Sequence, residues 1–178
     1  NFNKQKNTYL LLFFYLLLLS FAFYSLQDAG IHIEEKFHRL NGLYWLSYVS
    51  EVLGFSNLHD ISSEKASEIS DFSLSSVILY NKYGIIFDLP TAFLEIFLGI
   101  NDIKSVYYLK HFLSFSIFLL SSFAFYKILI KRYNNFLLSF VGTSLFITTP
   151  RIFGDSFFYK DVLFLSFLTF TMYFLLKY

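Results

Sequence analysis

The sequence predicts an all-α membrane protein: a polytopic bundle of four transmembrane helices, with interfacial helices in its first outer loop. Three observations lead there. Of 178 residues, 56% are hydrophobic, 23% aromatic and only 15% charged, where an ordinary soluble domain carries ~25% charged residues. Mean hydropathy is +0.53. The charges are clustered, leaving uncharged stretches near the ~20 residues that a hydrocarbon core requires. Cysteine is absent and the formal net charge is +1. A disulfide framework and a thiolate metal site are therefore excluded, and no nucleic-acid footprint is present.

The first crossing is expected over 8–26, since no charge lies between Lys6 and Asp28. A signal peptide with Lys4 and Lys6 as its basic start is the alternative, but the apolar run exceeds the usual ~7–15 residues and no Ala-x-Ala cleavage site follows. The second crossing covers 106–130, with Lys110 and Lys127 near its ends, where long cationic side chains snorkel to the interface. The third, 133–150, and the fourth, 162–176, are short and fit tilted packing or a thin bilayer. The chain begins at Asn1 and stops behind a hydrophobic run, and reads as the N-terminal part of a longer protein.

The outer loops are then 27–105 and 150–161. In the first, Ile33, Phe37, Leu40 and Tyr44 recur at helical spacing, predicting a short amphipathic helix on the membrane surface. The tract SNLHDISSEKASEISDFS reads as an exposed loop. Asp88-Leu89-Pro90 reads as a helix start, Asp near the N-cap and Pro in the first turn. The following TAFLEIFLGI is interrupted by Glu95 and too short to span, so it is expected to be interfacial.

Orientation follows from the basic residues, because short cytoplasmic loops are enriched in Lys and Arg. Lys4, Lys6, Lys127, Lys131, Arg132 and Lys177 fall on one side, and all thirteen carboxylates fall on the other together with both charged loops. If 89–101 were a span, the two loops would face opposite compartments.

Carboxylates held at a membrane boundary are costly to desolvate and mark candidate sites. Glu34 and Glu35 diverge by about 100° on a helix. Glu34 precedes His38, and Glu35 precedes Arg39, by four residues, so two solvated ion pairs are the plain alternative. In the second loop Asp161 suits a helix cap, Lys160 can snorkel and Arg151 can anchor at headgroups. Asp155, after Gly154 in a loop fixed by Pro150, is the strongest ligand-binding candidate, with an Asx turn as its alternative. His111 either orients one of these groups or is a satisfied interfacial histidine.

The string PRIFGDSFFYKDVLFLSFLTF resembles the second-loop motif of the GT-C fold glycosyltransferases that use lipid-linked sugars, the protein-mannosyltransferase-like group. GIHIEEKFHRLNGLYWL is similar to their first loop, which carries an acidic doublet after the first transmembrane helix, and YGIIFDLP followed by YYLKHFLSF also fits. Glu34-Glu35 stands where the group usually has Asp-Glu, Asp155 where it often has His or Ala, and Phe158-Tyr159-Lys160-Asp161 where it has Asn-Pro-Lys-Asp. The resemblance implies inverting transfer of a mannose-like sugar from a polyprenyl-phosphate carrier to a protein, lipid or glycan hydroxyl on the non-cytoplasmic face, a bacterial inner membrane being the expected setting. Glu34 would be the general base, its pKa raised by burial, with Glu35 and Asp155 beside it as catalytic candidates. Arg151 and Lys160, or a divalent metal ion held by carboxylates such as Asp155, would stabilise the leaving lipid phosphate. His38, Arg39, His111 and Asp161 complete the substrate-binding set. A transporter or flippase, and a non-catalytic scaffold subunit, are the alternative classes.

Overall fold

In a computed structural model of the chain, residues 2–26, 29–32, 34–69, 84–158 and 160–177 are described. Asp28, Ile33, the 70–73 end of the polar tract, Tyr83 and Tyr159, all used in the sequence reading, lie outside them. The described regular structure is entirely α-helical: α1 Phe2–Ser25, α2 Glu35–Val52, α3 Ser56–Ile69, α4 Asp88–Phe97, α5 Ile103–Tyr133, α6 Phe136–Thr148, α7 Pro150–Asp155 and α8 Asp161–Lys177. Among the described residues, two helices are long and apolar enough to cross a membrane, α1 over Gln5–Ser25 and α5 along its whole length.

Contacts divide the chain into two compact units, residues 1–29 with 108–178, and residues 30–107. In the first, Leu18 and Ala22 of α1 meet Phe115, Phe118 and Leu119 of α5, Ile147 of α6 and Val162 of α8. The order of these contacts fixes the helix directions. Phe23 packs on Tyr108, while Tyr15, eight residues earlier, hydrogen-bonds Ser122 at 2.9 Å, so α1 runs antiparallel to α5. Phe136 lies by Tyr126 and Phe146 by Phe118, so α6 also opposes α5. Ser166 meets Ser121 at 3.2 Å and Phe157 stacks on Phe115, so α8 runs parallel to it. Lipid removes most of the hydrophobic drive between helices, leaving close packing and interhelical hydrogen bonds to join them. Among the buried small polar residues, Ser114, Ser121, Ser122 and Ser166 make such bonds, while Ser139, Thr143 and Thr169 bond back to their own helices and allow close approach.

Away from this seam α1 exposes Leu10, Phe13, Leu16, Leu17 and Phe21. An apolar face of that extent requires lipid or protein cover.

The stretch 133–150 is not one helix. Asn134 takes φ 48°, a left-handed conformation that Asn tolerates, and the Asn135 side chain accepts from the Leu138 N–H at 3.1 Å to cap α6. Pro150 then opens the separate helix α7. Lys110 is fully buried instead of snorkelling, whereas Lys127 is exposed, its Nζ 5.1 Å above the Phe123 ring.

The second unit holds α2, α3 and α4 around Leu43, Leu46 and Ala92. The polar tract is helical over Ser56–Ile69, correcting the expected loop. Its Leu58, Ala66 and Ile69 pack on that core, and Ser62 Oγ bonds back to the Leu58 carbonyl at 2.7 Å, so every third or fourth position faces inward despite the polar composition. The expected α2 exists, but its buried face is rotated. Glu35, His38, Arg39, Leu40, Asn41, Gly42, Leu43, Leu46 and Ser50 are buried, so of the expected apolar stripe Leu40 is enclosed while Phe37 and Tyr44 are only half-buried.

Candidate functional site

The seam between α2 and α4 concentrates the buried charge of the second unit. Arg39 donates from Nε to Glu95 Oε2 at 3.1 Å and from an Nη to Glu95 Oε1 at 2.6 Å, a bidentate pair. Both side chains are almost wholly enclosed, Glu95 at 0% and Arg39 at 7% side-chain exposure. Lys65 of α3 lies 3.6 Å from the same carboxylate and donates to the Ile100 carbonyl at 2.8 Å and Asn101 Oδ1 at 3.1 Å. The Tyr107 phenol lies close to Arg39 as well. Next to this pair, His38 Nδ1–H donates to Asp88 Oδ2 at 3.0 Å, and Asn41 Nδ2 donates to the same oxygen at 3.1 Å.

Local sequence explains the convergence. Residues 35, 38, 39 and 42 recur at the i, i+3, i+4 spacing that lines one helix face, as do 88, 91, 92 and 95 on α4. Where α2 carries Gly42, the Asp88 carbonyl packs directly against it; a Cβ there would lie 2.8 Å from the carbonyl carbon and 3.2 Å from the Ala92 Cβ. That close approach brings short side chains such as Asp88 and Asn41 within hydrogen-bond reach.

These pairings replace the solvated i,i+4 ion pairs as the account of His38 and Arg39. His38 pairs with Asp88, Arg39 with Glu95, and Glu35, 3% exposed, accepts from the His32 N–H at 2.9 Å. Glu34 stands half-buried just before the helix, its backbone N–H 3.3 Å from His32 Nδ1. The doublet therefore has two environments, one carboxylate enclosed and one accessible. The helix starts at Asp88 as expected, with Pro90 in its first turn; Phe87 holds the N-cap position and the Asp88 carboxylate accepts from His38 and Asn41 of α2.

The remaining sequence candidates belong to the other unit. Asp155 ends helix α7 and is not part of a loop; it lies 3.9 Å from Arg151 in an exposed i,i+4 pair. Asp161 occupies the first turn of α8 and Lys160 is exposed just before it. His111 is buried in α5 with its ring 5.5 Å from that of Phe158. Among the described residues no three His, Cys, Asp or Glu side chains gather as a metal site.

Asp88, Glu95, Asn41, Lys65 and Tyr107 were not among the sequence candidates. Glu95 did leave a signal, as one acid inside an otherwise apolar helix. The partnership of Lys65 left none, because it depends on how α3 folds back.

Compared with protein-family models, curated proteins and solved structures, the chain matches none.

Proposed function

We propose that the chain is the N-terminal, four-crossing part of a GT-C membrane glycosyltransferase that moves a hexose from a polyprenyl-phosphate carrier to an acceptor hydroxyl on the non-cytoplasmic face. The observation that carries the reading is the setting of the acidic doublet. The helix that begins at Glu35 is anchored by a buried Arg39–Glu95 ion pair and a buried His38–Asp88 hydrogen bond, and the half-buried Glu34 sits at its threshold. A base must be held rigidly yet meet its substrate, and such an arrangement meets both needs.

In this reading Glu34 takes the acceptor hydroxyl proton as that oxygen bonds to the anomeric carbon. The bond from the anomeric carbon to the phosphate oxygen breaks on the opposite face, inverting the centre. Polyprenyl phosphate leaves with the electron pair. Glu35 acts as a positioning residue, and α6 and α8 supply the third and fourth crossings.

The test is consumption of a polyprenyl-phosphate hexose by the complete protein in proteoliposomes. Glu34→Gln should abolish it while Glu34→Asp retains it. Transfer left intact by Glu34→Gln at normal expression removes the base assignment, and no consumption by the wild type removes the enzyme reading.

A transporter is the second reading. It is favoured by Lys110 and His111, both buried within α5. Lys110→Gln that stops solute flux in vesicles, with no hexose consumed by the wild type, would decide for it.

A further inference from the structure

We propose that a cleft between the C-terminal ends of α5 and α8 binds the phosphate headgroup of an anionic membrane lipid. The cleft measures about 180 Å³ and is lined by Lys127, Ile128 and Lys131 of α5 with Tyr173, Leu176 and Lys177 of α8. Three lysines therefore line a space that none of the described carboxylates lines. The chain holds no acid between Asp102 and Asp155, nor after Asp161, and Asp161 opens α8 at the far end from Lys177.

Helix C-termini favour cations, and Lys131 does donate to the Leu176 carbonyl. That bond uses one of three ammonium hydrogens. Gathering three like charges around one cleft is unfavourable unless an anion offsets it, and Tyr173 adds a hydroxyl able to donate to a phosphate oxygen.

An apolar groove indicates a lipid in preference to free phosphate. In the same unit a groove of about 380 Å³ runs between α1 and α5, lined by Leu11, Leu12, Leu19, Leu119, Leu120 and Phe123 among others. Lys127 Nζ lies over the ring of Phe123, so the α5 face that lines the groove continues directly into the lysine cleft. An acyl chain in the groove would place its phosphate beside the lysines, at the end of the bundle that also carries Arg132.

The protein purified in neutral detergent is titrated with phosphatidylglycerol, phosphatidylcholine or inorganic phosphate, and bound lipid is read by native mass spectrometry. Phosphatidylglycerol should be retained, phosphatidylcholine should not, and phosphate should fail to displace the bound lipid. The K127Q/K131Q/K177Q variant changes only exposed side chains and should lose affinity for phosphatidylglycerol by on the order of 100-fold, about 5-fold per cation; Lys104→Gln should leave it unchanged. Leu120→Trp, which crowds the groove, should weaken retention without touching a charge. Equal retention of both lipids, full retention by the triple variant, or displacement by inorganic phosphate overturns the assignment. Should the triple variant fail to fold, the wild type still decides, because retention that does not fall with salt overturns it too.

Discussion

At the scale of single residues, the Arg39–Glu95 pair is the most consequential interaction outside the apolar cores. Removing one partner leaves an enclosed charge, which typically costs ~3–5 kcal/mol, whereas replacing both with apolar groups is often nearly neutral. Glu95→Gln should therefore lower the unfolding midpoint sharply, and Arg39→Met with Glu95→Leu should recover most of the loss. Lys65→Met should cost about 1 kcal/mol, since its ammonium bonds mainly to the Ile100 carbonyl and Asn101. A thermal-unfolding double-mutant cycle measures the coupling, and strict additivity would remove the claim that the pair acts as a unit. Asp102 gives a pH-dependent case. Hydrogen bonds from the Ser105 hydroxyl and N–H hold its carboxyl below the usual range. A lowered folded-state pKa means the cap is fully present above the ordinary carboxylate range and is lost as pH falls through the lowered value. Amide exchange in the first turn of α5 should accelerate over that acid window, and Asp102→Asn should abolish the inflection.

At the scale of elements, two glycines separate backbone contact from side-chain contact. A Cβ at Gly42 meets the Asp88 backbone, which cannot yield without parting α2 from α4, so Gly42→Ala should cost roughly 1–3 kcal/mol. A Cβ at Gly142 meets only the Leu129 Cδ1 at 2.8 Å, the end of a side chain that can rotate, so Gly142→Ala should fold almost as the wild type does. Unfolding midpoints of the two variants test the contrast, and equal losses would remove it. The same elements show what could be read in advance. α1, α5 and α8 were legible because long uncharged runs with charges at their ends have few structural alternatives. α3 was not, because Ser, Asn and Asp favour turns in isolation and only packing of Leu58, Ala66 and Ile69 on a partner outweighs that. On α2 the helix was legible but its inner face was not. Apolar spacing selects Phe37, Leu40 and Tyr44, of which only Leu40 is enclosed, whereas the charged stripe of His38 and Arg39 turns inward because α4 offers it Asp88 and Glu95. Both of these pairings join residues about fifty apart in sequence, a relation no local pattern contains.

At the scale of the whole molecule, the question is how many times the chain crosses. α6 has 13 residues, about 20 Å at 1.5 Å per residue, which is shorter than a ~30 Å hydrocarbon core. Yet Phe136 lies level with Tyr126, and the Ser156 carbonyl accepts from Ser114 Oγ at 3.2 Å. The segment α6–α7 thus climbs back past twelve residues of α5, and its capped ends and Pro150 let it do so in two pieces. In that bundle Lys127, Lys131, Arg132 and Lys177 share one end, while Arg151, Asp155 and Asp161 share the other. The chain has no cysteine, so single-cysteine reporters can be placed without background. If α6–α7 is a crossing, Arg132→Cys and Asp155→Cys in oriented membrane vesicles should react with an impermeant maleimide from opposite sides. Labelling of Arg132→Cys and Asp155→Cys from the same side would make α6–α7 a re-entrant hairpin.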